Sequence, residues 1–271
     1  MNRNGSDQTR ITFDNVAEYR ARWSPDGTQI AFSTVGTSGQ IFLMSANGTT
    51  QLTGTGPLTE TGAGAVAPDW SPDGTRIVFQ TNPVRNGTFM YRDIYVINTD
   101  GSGLTNLTHN STYQDSRPAW SPDGTRIAFQ SNRDGNNEIY VMNPDGSNAI
   151  RLTFDGHSDG EPDWSPDGRI AFSSNRDGSL QIWVMNGDGT GLKKLTNTTG
   201  CARNLDPAWS PDGRKIAFDS DRDFPSDDCN NLERGILQIF VMNADGTDQV
   251  SLTSLPGESA SAGWGWTKDS E

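Results

Sequence analysis

Apolar residues in this chain come in short clumps rather than long runs. Ile30-Ala31-Phe32, Ile127-Ala128-Phe129 and Ile216-Ala217-Phe218 are typical, as are Ile139-Tyr140-Val141-Met142 and Ile239-Phe240-Val241-Met242. Each clump is rich in β-branched and aromatic residues and is bounded by Gly, Pro, Asn and Asp. They are too short and too closely punctuated for helices, so each predicts a strand ended by a tight turn.

The clumps recur in fixed order. Trp-Ser-Pro-Asp-Gly begins at Trp23, Trp70, Trp120, Trp164 and Trp209, with steps of 47, 50, 44 and 45 residues, and a decayed copy follows at Trp266. In every unit a short segment leads into the Trp, and Pro-Asp-Gly then turns the chain. Proline presets φ at the first corner and glycine supplies the positive φ that closes the turn. An Ile-x-Phe strand, a polar loop and an Ile-aromatic-Val strand follow. An Asn-x-Asp-Gly turn and a last strand ending in Leu-Thr complete the unit. Four short antiparallel strands cannot bury both faces alone. Stacked around an axis, such units bury one another, and a period near 45 residues with four strands predicts an all-β propeller. The recurring Trp then serves as packing between blades.

Trp-Ser-Pro-Asp-Gly, Ile-Ala-Phe, Ile-Tyr-Val-Met-Asn-x-Asp-Gly and Leu-Thr together resemble the TolB-type repeat of WD-repeat-like propellers, over nearly the whole chain. The resemblance implies periplasmic or secreted binding platforms, with six blades and a docked partner in TolB itself. Relatives of this kind also gate peptidases, and some are lyases.

Residues 1–271 therefore read as one propeller domain of five complete units. Residues 1–13 match the end of a unit and 262–271 the beginning of one, which gives a split sixth. Six blades closed through a thin shared blade are slightly preferred to five blades with spare terminal strands.

Composition limits the function. Lys and Arg number 21 against 34 Asp and Glu, for a formal charge of −13. The sign disfavours nucleic acid and anionic membrane surfaces and favours basic partners or cations. No apolar run reaches the roughly 18 residues of a membrane helix, and no signal core follows Met1. The expected compartment is periplasmic or secreted with a leader outside this chain, and a cytoplasmic one stays open.

The two kinds of turn are short and uniform, so binding is expected on the other face, where loops vary. Tyr113, His157 and Phe224 mark that face. Glu18, Asp115 and Asp159 lie five residues before their Trp, Glu161 and Asp206 three before theirs. Asp115 and Asp159 also match the acidic residue that the family pattern often places before the Pro. Carboxylates converging at a channel mouth could hold Ca²⁺, although no cofactor is required. Against this, they could cap loop amides. Cys201 and Cys229 fall in neighbouring loops of the fifth unit, where a disulfide is geometrically feasible.

Gly156-His157-Ser158-Asp159-Gly160 spells G-x-S-x-G, but a strand rather than a helix is expected after it, and no histidine follows Ser158. The favoured function is a non-catalytic platform for a protein or peptide. The alternatives are an enzyme acting on carbohydrate at the channel mouth and a propeller fragment that gates another domain.

Overall fold

A computed structural model describes residues 6, 11, 18–34, 39–46, 64–81, 84–85, 88–89, 91–109, 112–223 and 237–253. Among these residues the repeats form five antiparallel blades around an axis. Five is the second of the two arrangements expected from the sequence. Apart from Ser6 and Ile11, the terminal pieces read as a split sixth unit lie outside the described residues.

Blade three shows the plan. Asp115–Trp120 runs nearest the axis, followed outward by Ile127–Ser131, Glu138–Met142 and Ile150–Arg151. Consecutive strands pair, so the blade is a simple meander. The innermost strands of the other blades are Glu18–Trp23, Ala65–Trp70, Asp159–Trp164 and Asn204–Trp209. Blade one shows three strands among the described residues. Blade two carries an extra small hairpin, Val84–Arg85 with Thr88–Phe89, between its second and third strands.

Both predicted turns form as the sequence suggests. In the first blade Gly27 N–H donates to the Ser24 carbonyl at φ 70°, and Asp26 accepts from the Ser24 hydroxyl and the Thr28 amide. The turn fixes its own donors and acceptors and leaves little to offer a ligand. Asn143, Asp145, Gly146 and Ser147 close the outer turn of blade three in a similar way.

The core lies between blades. Val78, Ile94, Val96 and Leu107 of blade two pack on Trp120, Ile127, Phe129 and Tyr140 of blade three. The same pattern joins blades one and two, three and four, and four and five. Phe79, Phe129, Phe172 and Phe218 occupy equivalent positions and are fully buried, and each such burial stabilises by about 1.5–3 kcal/mol. Trp70, Trp120 and Trp209 are buried too, in keeping with a packing role. Between blades five and one no shared apolar cluster occurs among the described residues. Trp23, Ile30, Phe32, Phe42 and Met44 form a cluster within blade one, and the two blades meet through an ion pair at the axis.

Candidate functional site

Every innermost strand breaks register at the same place, three residues before its Trp. The residues there are Arg20, Ala67, Arg117, Glu161 and Asp206, all left-handed at φ 51–58°. Proline follows in blades two to five, where a bulge tolerates the missing amide. Neighbouring blades bind the amides that the bulge frees. Arg117 N–H donates to Gln80 Oε1 and Asp206 N–H to Glu161 Oε2, both at 2.8 Å. All five residues line the axis.

Two of these five positions are acidic and two basic, and they neutralise one another. Arg20 Nη2 lies 2.7 and 2.8 Å from the two Asp206 carboxylate oxygens. Arg117 reaches Asp206 at 3.3 Å and Glu161 at 3.6 Å, and Arg22 reaches Asp163 at 3.3 Å. The cavity left at the axis is about 30 Å³, room for a few waters. Burial, reinforced by the Asp206 carboxylate, pushes Glu161 up to about 7. Burial likewise raises Asp69, which accepts from Trp120 N–H at 2.7 Å, to about 7. For Arg20 burial opposes the charge, but Asp206 more than compensates and the guanidinium is held more firmly protonated.

The carboxylates proposed for a cation therefore lie in different places. Glu161 and Asp206 meet at the axis together with guanidinium groups. Asp115 and Asp159 are fully buried inside their own blades. Asp115 receives Arg133 at 3.1 Å, and Asp159 receives Arg176 at 2.8 Å. These arginines come from the Asn-Arg-Asp-Gly loops and stack on aromatic rings, Arg133 at 4.7 Å from Tyr140 and Arg176 at 4.8 Å from Trp183. Blade five has the neutral version, with Arg222 donating to Asn204 at 2.6 Å. Glu18 opens the inner strand of blade one opposite Thr34. No group of three or more His, Cys, Asp and Glu is gathered in metal-binding fashion among the described residues.

The variable loops do share one face. Ser158 N–H donates to Asn175, Gln114 N–H to Asn132, and Arg203 pairs with Asp221, so the loop leading into each blade lies beside that blade's own second loop. Asn137 donates to Ser158, linking blades three and four. Tyr113 stands on this face, 4.8 Å from the Arg133 guanidinium. His157 is half-exposed, with Nδ1 3.3 Å from Asp155. Cys201 carries no free thiol. Phe224 and Cys229 lie outside the described residues. Ser158 runs into the strand Asp159–Trp164, so the G-x-S-x-G spelling forms no nucleophile elbow.

The sequence reading missed Phe154. Its side chain is 74% exposed on the loop face, with Arg151 stacked 5.0 Å away. The position after Leu-Thr is Gly54, His109, Asn197 or Ser254 in the other complete units, and Phe13 follows Ile11-Thr12 in the terminal piece, so a large apolar side chain in only two copies of that column was the available signal. Asp134 and Asp177, on either side in sequence, are 45% and 47% exposed and pair with Arg151 at 3.1 Å and Lys194 at 2.9 Å.

A repeat-built propeller with an ion-plugged axis and one irregular loop face is what these features define. Residues 52–170 and 157–265 match the TolB beta propeller domain, and the chain belongs to that family. Among known structures, a putative TolB from Agrobacterium tumefaciens is 24% identical at a TM-score of 0.73, covering 90% of this chain and 83% of that one. TolB from Acinetobacter baumannii is 23% identical at 0.73, covering 94% of this chain and 59% of that one. An oligogalacturonate lyase in complex with manganese is 16% identical at 0.59, covering 93% and 70%. A Bacillus subtilis (strain 168) protein described as the uncharacterized peptidase YuxL is 39% identical over 59 residues, 22% of this chain and 8% of that protein. At such identities the structural likenesses establish the fold.

Proposed function

We propose that the protein is a non-catalytic platform whose loop face binds a protein or peptide partner carrying cationic groups. The observation that carries this reading is Phe154, an exposed aromatic anchor on the loop face of a chain with a formal charge of −13, while ion pairs fill the axis. Exposed aromatics are the usual anchors of interfaces, and the negative field selects basic partners and speeds their approach. A channel-mouth enzyme would need room for substrate at the axis, where Arg20 and Arg117 instead fill the space as they pair with Asp206.

A photo-crosslinking residue at position 154, with a control at position 145 on the turn face, tests the reading. The expected result is one defined adduct from position 154 alone, lost in high salt. Equal labelling from both positions, or turnover of glycans by the purified protein, would overturn it.

The likeness to a puromycin-hydrolyzing peptidase of Mycobacterium tuberculosis, over 88% of this chain and 38% of that one, supports a second reading in which the propeller gates an attached domain. Intact mass of the native protein separates the two. In either case a periplasmic or secreted setting fits a Cys201–Cys229 disulfide, which thiol labelling before and after reduction checks. A Ca²⁺ ion at the axis would have to displace Arg20 or Arg117 from Asp206. Calorimetry with a chelator control reads this as heat and stabilisation, or as neither.

A further inference from the structure

A second cleft opens on the turn face, away from the loops, between blades two and three. Its volume is about 660 Å³, within the range of small-molecule sites. Val96 and Leu107 form its apolar floor, and Asn98, Thr105 and Asp145 supply polar edges. Arg76 also lines it, its guanidinium stacked 4.8 Å from the Trp120 ring. No hydrogen bond or ion pair to that guanidinium occurs among the described residues. The two carboxylates nearby are satisfied in their own turns, Asp73 by Ser71 and Thr75 and Asp145 by Ser147.

The repeat explains why the cleft is open here. Between blades four and five, Lys193 Nζ donates to the Asp245 carbonyl at 3.1 Å, and Gln249 donates to the Leu195 carbonyl at 3.2 Å, so two side chains span the gap. Strand register places Thr105 where blade four has Lys193, opposite Val96 and Val184 respectively. It also places Ala149 where blade five has Gln249. Both replacements are short. Between blades three and four, Arg126 reaches over to the Gly187 carbonyl at 3.4 Å. Arg76, the matching residue of blade two, lies on Trp120 instead.

We infer that this cleft is a binding site for a small organic carboxylate with an apolar body. The apolar part would lie on Val96 and Leu107 and the carboxylate on the outer edge of Arg76. A guanidinium that lies over a ring and has no other partner for its N–H groups can donate two bonds to a carboxylate. The negative charge of Asp73 and Asp145 weakens an anion's hold, so affinity is modest.

The test titrates 4-phenylbutyrate, and separately its neutral amide, into the whole protein while following backbone amide shifts. Saturable shifts of Asn98, Thr105 and Asp145 are expected, with a Kd on the order of 1 mM for a ligand of this size. The amide should bind at least about tenfold more weakly, the loss of a charge-assisted pair. Ala149→Gln, which copies the neutral spanning residue of blade five and leaves the Arg76–Trp120 contact alone, should also weaken binding about tenfold. Arg76→Gln should do the same, and its fold is checked by an unchanged shift pattern elsewhere. No saturable shift up to about 10 mM, equal binding of acid and amide, or full binding by Ala149→Gln would each overturn the assignment.

Discussion

At the scale of single residues, backbone conformation constrains this protein as strongly as side-chain chemistry does. Gly146 sits at φ +85°, and a Cβ there would collide with the Leu107 carbonyl oxygen of the preceding blade. Gly146→Ala therefore combines strain with a collision against backbone, and a loss of about 1–3 kcal/mol is expected in denaturant unfolding. Glu161 illustrates the chemical side. Its folded pKa of about 7 exceeds the ordinary 4.5, so the native state holds more proton than the unfolded chain between those values. Its contribution is complete below about pH 4.5 and disappears as pH rises through about 7. The melting temperature should thus fall by a few degrees between pH 5 and pH 8 from this group, with Asp69 adding in the same direction. Glu161→Gln should flatten the slope, which a series of thermal melts reads.

At the scale of the blade, an acid, a base and an aromatic ring recur as one device. Asp115, Arg133 and Tyr140 in blade three correspond to Asp159, Arg176 and Trp183 in blade four, and Asn204, Arg222 and Phe240 in blade five. The guanidinium ties the start of the inner strand to the loop between the second and third strands. Blade five shows that a neutral acceptor suffices. Asp115→Asn should therefore cost less than about 1 kcal/mol, because it keeps an oxygen facing Arg133. Asp115→Ala should cost about 3 kcal/mol or more by leaving a buried charge without its partner. Urea unfolding of the two variants makes the comparison. These carboxylates drew attention in the sequence because acidic residues recur at one spacing. The pattern was real, but the loop arginines, some 17–18 residues further along, hold those carboxylates inside each blade.

At the scale of the molecule, the axis ties together blades that share no strand pairing. Arg20 of blade one and Asp206 of blade five are 186 residues apart in the chain and 2.7 Å apart in space. They are also the described contact between blades whose sheets share no apolar cluster. A double-mutant cycle on Arg20→Ala and Asp206→Ala should give a coupling energy above about 1 kcal/mol, since neither side chain is more than 20% exposed. A coupling near zero would mean that the pair contributes little to ring closure. The Phe154 face and the Arg76 cleft lie on opposite faces, so substitutions in one should leave binding at the other unchanged.

What the sequence alone determined is everything that repeats. Strand positions, both turns, the Trp and Phe core and the propeller itself follow from local periodicity and turn chemistry, each copied five times and hence averaged against local error. What only the tertiary structure decided is everything that depends on one blade differing from the next. Arg20, Arg117, Glu161 and Asp206 share a column of the repeat, yet their mutual neutralisation arises only when the bulges turn them to a common axis. The exposure of Phe154 and the opening beside Arg76 depend likewise on which neighbours fail to reach across. The physical reason is that burial and charge pairing are properties of spatial neighbours, and in a ring those neighbours lie tens to hundreds of residues away along the chain.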